Sequence, residues 1–205
     1  MIAVIPETAK RRTTLQLLKD DAGATVMEFG IVVVVFITMV IGMFDVGQSA
    51  YAQAILNGAV EEAARTSSLE TGDTSVADAK VLKMVGHVAP GATISSERKS
   101  YYDFNDIDRA EKWNDAVPNG ACDFGETYID ENGNGQWDED IGVAGNGGAS
   151  DVVIYTVTLS YKPLFPIPFY DGANATRSLT AVSIKKNQPF ADQIGYDGSA
   201  AGICS

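Results

Sequence analysis

Residues 130–138 read Asp-Glu-Asn-Gly-Asn-Gly-Gln-Trp-Asp, which puts side-chain oxygens at positions 1, 3, 5 and 9 of an EF-hand-like loop, with glycine at position 6. That spacing suits Ca2+, a hard cation that gathers six to eight oxygens, and the glycine permits the sharp turn. Asp130, Asn132, Asn134 and Asp138 are the candidate ligands, with the backbone carbonyl of Gln136. Position 12 is Ile141 where a calcium loop carries a bidentate glutamate, so Asp140, or Glu126 upstream, is expected to complete the shell. Clustered carboxylates repel one another unless something neutralises them. A solvated Asn/Gly-rich turn is the alternative. Two cysteines, Cys122 and Cys204, fit one disulfide in an oxidising compartment. The single histidine, His87, sits near a helix end, and no nucleophile–base pair, phosphate loop or zinc ligand set is present. The sequence reads as that of a non-enzyme.

Glu28 is chemically conspicuous for another reason. It stands at the mouth of the apolar run Gly30–Phe44, and from Phe29 to Phe44 only Thr38 carries a polar side-chain group. A carboxylate there is costly and calls for a partner or a function. Extended to Ala24–Val46, the run reaches the roughly 20 residues needed to cross a bilayer. Lys10, Arg11, Arg12 and Lys19 precede it, whereas most of the acidic surplus lies in Asp103–Asp140. The positive-inside rule therefore places residues 1–23 in the cytoplasm and the chain beyond about residue 46 outside. The net charge of −12 excludes a nucleic-acid partner, since a polyanion gains nothing from an acidic surface.

The helix continues past the membrane. Val46, Ala50, Ala54, Leu56, Val60, Ala63 and Ala64 keep apolar positions at three- and four-residue spacing up to Arg65, before Gly72 and Asp73 break it. The chain thus divides into a leader (1–23), a transmembrane and stalk helix (24–66) and an extracytoplasmic domain (67–205) that reads as α+β. Within that domain Asp73–Val88 is a predicted helix, with Val76, Ala79, Val81, Leu82 and Val85 on its apolar face and Pro90 ending it. Thr93–Tyr102, Val152–Tyr161 and Ser178–Lys186 are predicted strands of a small antiparallel sheet packed on the helix. Pro163, Pro166 and Pro168 keep the intervening segment extended and irregular. Tyr161, Phe165, Phe169 and Tyr170 form either packing beneath that segment or an adhesive patch, and Asn174-Ala175-Thr176 has the pattern of a glycosylation sequon.

Gly23-Ala24-Thr25-Val26-Met27-Glu28-Phe29 followed by unbroken hydrocarbon resembles the cleavage region of a type IV prepilin. Residues 23–65 as a whole resemble the N-terminal domain of TadE/TadG-like pseudopilins of tight-adherence (Flp pilus) systems. Glu28, Phe29, Asp45, Gly47, Tyr51, Gln53, Ala63, Ala64 and Arg65 stand at the matching positions. Val34 and Val35 depart from the pattern, where family members often carry proline. Lys185-Lys186-Asn187-Gln188-Pro189-Phe190 is similar to the ending that closes many such domains.

The resemblance implies a long N-terminal helix with a small pilin-like α+β domain, anchored as a single-pass protein in the bacterial inner membrane. It implies cleavage by a prepilin peptidase between Gly23 and Ala24, with Glu28 and Phe29 serving assembly and Glu28 pairing with the new N-terminal amine of a neighbour. Its partners would be the lipid membrane, other pilins and pseudopilins, and the Tad assembly machinery. Three alternatives stay open. One is an uncleaved anchor carrying a calcium-dependent adhesion module. Another is a subunit of an envelope secretion apparatus. The third is a secretory signal cut at the Ala50-Tyr51-Ala52 site.

Overall fold

The computed structural model describes residues 22–68, 73–167, 175–196 and 200–204. The basic leader up to residue 21, Gly72, Pro168, Phe169, Tyr170 and the Asn174 end of the sequon lie outside the described residues. An uninterrupted helix, α1, runs from Ala22 to Ser67. Its outer half carries the core positions Ala52, Leu56, Ala59, Val60, Ala63 and Ala64, all buried. Those spacings of three and four residues line up one stripe on a 3.6-residue helix. The inner half is different. Its most apolar window has a mean hydropathy of 2.5 and is only 6% buried.

A second helix, α2 (Thr74–Gly86), begins where the Asp73 carboxylate accepts the backbone N–H groups of Ser75 and Val76, an N-cap that satisfies two of the orphan donors of the first turn. It packs through Ala77, Val81 and Val85, a narrow i, i+4, i+8 stripe. Val76, Ala79 and Leu82 of the expected face are exposed instead. α2 touches α1 and the sheet along one line, which leaves no room for the broader face that the apolar residues alone imply.

The main sheet has four antiparallel strands in the order β3-β1-β4-β5: β1 Thr93–Tyr101, β3 Val143–Ala144, β4 Val152–Tyr161 and β5 Arg177–Lys186. A separate two-stranded sheet pairs β2 (Thr127–Asp130) with β6 (Ala200–Ile203). Strict alternation along β4 sends Val153, Tyr155, Val157, Leu159 and Tyr161 to the buried face. Tyr155, Val157, Leu159 and Tyr161 meet α1 and α2 in the main core. A smaller core of Tyr101, Ile141 and Val152 lies at the far end of the sheet. Ile141, fully buried there, occupies the twelfth position of the calcium-like loop. That place is given to packing, which accounts for the missing glutamate.

Polar residues bind α2 to the sheet. Asp78 takes two guanidinium nitrogens of Arg98, at 2.6 and 3.2 Å, and the hydroxyls of Ser96 and Tyr155. The Arg98 guanidinium also lies 4.0 Å from the Tyr155 ring centre, a cation–π contact. Burial works against the Asp78 charge, but the bonds from Arg98, Tyr155 and Ser96 outweigh it and hold the carboxyl below its ordinary value. Asp78→Asn leaves the Arg98 guanidinium, with a side chain only 9% exposed, without its counter-charge. The expected cost is about 3 kcal/mol of unfolding free energy, measured by chemical denaturation of the full chain in detergent. A loss below about 0.5 kcal/mol would show the pair to be ornamental.

Candidate functional site

Three regions of the chain carry the residues singled out by sequence: the membrane end of α1, its junction with the outer domain, and the acidic region at the far end of the sheet. Gly23 and Ala24 lie in the first turn of α1. Glu28 and Phe29 are exposed one turn further on, and Glu28 has no ion-pair or hydrogen-bond partner among the described residues. Among the described residues, ring and hydrogen-bond contacts of the outer domain with α1 begin at Phe44 and Asp45. The Phe44 ring sits 5.4 Å from that of Phe165, and Asp45 accepts a 3.0 Å hydrogen bond from Arg177. From Thr25 to Met43 the helix extends about 28 Å at 1.5 Å per residue, a length that matches the hydrocarbon thickness of a bilayer. Asp45, expected near the outer interface, is buried against the outer domain.

β5 runs beside α1, and polar contacts join the two along their length. Asp45 pairs with Arg177, the Gln53 side chain donates to the Thr180 carbonyl at 3.0 Å, and Glu61 accepts from Ser183 and Lys185. From Asp45 to Glu61 the helix rises about 24 Å and from Arg177 to Lys185 the strand rises about 26 Å, so the two elements stay in step. Gln48 joins the same junction, donating to the Val88 carbonyl at 3.2 Å and accepting from Leu164 N at 3.0 Å. Ser49 and Tyr161 share a hydroxyl–hydroxyl bond of 3.0 Å. The tail motif closes the other end. The Asn187 side chain donates to the carbonyls of Asn146 and Gly148, Asn146 donates to Ser67 O, and Gln188 N donates to Ser68 O. Those last two bonds satisfy carbonyls at the helix C-terminus.

In the acidic region the carboxylates are occupied by N–H donors. Asp130 accepts from the backbone N–H groups of Gly133, Asn134 and Gly135. Gly133 and Gly135 have φ of +75° and +81°, a left-handed backbone that favours glycine. The Asn132 and Asn134 amides both donate to Asp138, at 2.7 and 2.5 Å. The Asn132 and Asn134 side-chain oxygens accept from the backbone of Asn134 and Gln136. Asp130, Asn132, Asn134 and Asp138 thus come together. Asp140 and Glu126 do not join them. Asp140 binds Lys99 and Tyr101, and Glu126 accepts from the backbone of Ala116, Val117 and Asp123. Among the described residues no three carboxylate, histidine or cysteine side chains form a metal-holding group. A cation at the loop would draw half of its side-chain oxygens from the two asparagines.

Glu111 was not legible from the sequence. It is fully buried and accepts the backbone N–H groups of Glu131, Asn132 and Asp138. Its own carbonyl accepts from the Trp137 indole, whose ring makes an edge contact with Trp113. It has no motif neighbours in the chain, so only the folded loop reveals it. Arg109 clamps Glu131 with two nitrogens at 3.1 and 3.0 Å and takes Asp106 with a third. Cys122 and Cys204 are joined by a disulfide that carries β6 to this region, and a Cβ at Gly202 would run into the Tyr128 ring.

With this geometry in view, one family model matches the chain: TadE-like protein, over residues 23–65. No curated protein and no solved structure matches it. The chain carries a TadE-like segment that ends where α1 leaves the core, and its outer domain lies beyond the match.

Burial works against the charge of Glu131 and of Asp140, and Arg109 and Lys99 respectively outweigh it, so both carboxyls sit low. The backbone N–H of Asp123 does most to hold Glu126 low. A depressed carboxyl stabilises the fold above its unfolded-state pKa, and the contribution is lost as pH falls through the folded value. The melting temperature is therefore expected to be level from pH 8 to 6 and to fall once pH drops below the ordinary carboxyl values of 3.8–4.5. Calorimetry of the full chain checks this. A melting temperature that holds down to pH 3 would mean these carboxyls are not depressed.

Proposed function

We propose that the chain is a minor pilin or pseudopilin of a tight-adherence, Flp-type pilus. It is held in the bacterial inner membrane by Thr25–Met43 with its α+β domain outside the cytoplasm. A prepilin peptidase removes the leader between Gly23 and Ala24, and the subunit then joins other pilins and the Tad machinery to serve assembly and adherence. One observation carries this reading: a single helix bears at its exposed, apolar end a carboxylate, Glu28, with no partner among the described residues, and at its other end the core of the outer domain. A carboxylate in lipid is stable only with a partner, and the amine exposed by cleavage of a neighbouring subunit supplies one. The TadE-like match over the same helix supports it.

Mass spectrometry of the protein from cells with and without the prepilin peptidase tests the cleavage. A mature N-terminus at Ala24 is expected, and replacing Gly23 by Phe is expected to leave the precursor uncut. A terminus at Gln53 would favour a secretory signal, and an uncut chain in peptidase-positive cells would favour a plain anchor. Glu28→Ala is expected to leave the melting temperature within about 1 °C while abolishing incorporation into pili, because Glu28 has no partner among the described residues of the outer domain.

The convergence of Asp130, Asn132, Asn134 and Asp138 favours a second property of the same protein, weak calcium binding, with the Gln136 carbonyl as a further ligand and the two amides turned to present oxygen. Loops that lack the bidentate twelfth ligand fall toward the 10⁻⁴–10⁻³ M range, about what an extracellular module needs. Calcium at ten times its Kd then adds about 1.4 kcal/mol, a rise of roughly 3–5 °C. Thermal unfolding with calcium and with chelator reads this directly. An unchanged melting temperature would leave the loop held by its own hydrogen bonds alone.

A further inference from the structure

The segment between β4 and β5 is exposed and apolar where the outer domain meets the helix. Leu164 is 55% exposed and Phe165 is 41% exposed, although both are tied to α1. Leu164 N donates to the Gln48 side chain, and the Phe165 ring rests on that of Phe44. Gln48 lies one turn above Phe44, about 6 Å along the axis. The segment therefore descends along the helix from the Gln48 level to the Phe44 level. Below Phe44 the helix surface down to Phe29 is apolar but for Thr38 and mostly exposed, beginning with Met43 at 77%. Lys162, also exposed, stands at the start of the same segment.

We propose that Lys162–Ile167 is a membrane-docking loop, with Leu164 and Phe165 inserting into the interfacial layer of the bilayer that α1 spans. The proposal rests on the membrane reading of α1. The layer between hydrocarbon and bulk water is about 5–8 Å deep on each side, the depth over which the loop descends. An aromatic ring and a leucine fit that layer, and a lysine beside them reaches the phosphates. Water leaves such side chains with an unfavourable exposed patch, whereas lipid continues the surface that Met43 and Phe44 already present.

The strand directions agree. β4 ends at Tyr161 and β5 begins at Arg177, so this edge of the sheet faces the membrane. The acidic residues 103–140 gather at the opposite end, where Tyr101 and Val152 close the sheet, about 30 Å away along β4. Anionic lipid would repel that end and accept the Lys162 end. The loop would then be a second attachment beside the helix, setting the tilt of the domain on the membrane before any assembly.

The test uses the full chain, with its native disulfide intact, reconstituted in phosphatidylethanolamine/phosphatidylglycerol nanodiscs. Single spin labels are placed through Leu164→Cys, Val182→Cys on the exposed face of the sheet, and Val35→Cys within the span. Their collision rates with lipid-soluble oxygen and with a water-soluble nickel chelate give the depth of each. The proposal expects position 35 deep in lipid, position 182 in water, and position 164 several-fold more accessible to oxygen than to the chelate. If 35 reads deep and 164 reads like 182, the docking loop is wrong while the anchor stands. If 164 is shielded from both probes, the loop packs on protein and the proposal falls. If 35 itself reads as aqueous, the membrane reading of α1 fails first and the docking loop with it.

Discussion

One helix must satisfy two solvents at once. From Phe29 to Met43 α1 is apolar on all sides but for Thr38, as hydrocarbon demands, and from Phe44 to Ser67 it is apolar on one stripe, as a protein core demands. The rest of the fold follows from this. Once the helix leaves the membrane it has an unburied stripe of Ala52, Leu56, Ala59, Val60, Ala63 and Ala64, and α2 with the sheet exists to cover it. Because four of those six residues are alanine, the covering elements approach closely. Their register is fixed less by large interdigitating side chains than by polar contacts along the α1–β5 seam. Asp45 at one end of the seam and Glu61 at the other hold the strand in step with the helix, so the domain has little freedom to slide or tilt on its anchor.

The acidic region solves a different problem. Its hydrophobic core is small, a cluster of Tyr101, Ile141 and Val152 with a few partly buried neighbours among the described residues, and it is organised around carboxylates that accept backbone N–H groups. Glu111, Glu126 and Asp130 each gather three such donors. Charge-assisted bonds of this kind are stronger than neutral ones, and they let a loop-rich segment keep one conformation. The Cys122–Cys204 bridge closes a loop spanning 82 positions, worth about 4–5 kcal/mol in the chain-entropy description. It pins β6 against β2, which as a pair of four-residue strands would be marginal alone.

The parts of this fold with strong periodicity were legible in the sequence. The bounds of β4 match the alternating run Val152–Tyr161 residue for residue, and β1, β5 and α2 fall within two residues of their expected ends. β2, β3 and β6 were not legible, since two to four residues carry no usable alternation and their pairing depends on chain closure from far away. The face of α2 was misread at Val76, Ala79 and Leu82 because apolar residues outnumber the places available against α1. In the acidic loop the positions of Asp130, Asn132, Asn134 and Asp138 were readable as a group. Asp140 and Glu126 were drawn elsewhere by Lys99 and by backbone donors, and Glu111 entered from 20 residues upstream with nothing local to announce it.

The central claim is that anchor and domain form one continuous helix with no hinge where the membrane ends. Hydrogen–deuterium exchange of the full chain in nanodiscs tests it most directly, since local opening reports itself residue by residue. The account predicts unbroken slow exchange from the lipid-buried turns around Val34 through Phe44–Gln48 and on to Ala64. Fast exchange confined to Met43–Gln48, with protection on both sides, would mean a flexible joint between a separate anchor and a separate domain, and would contradict it.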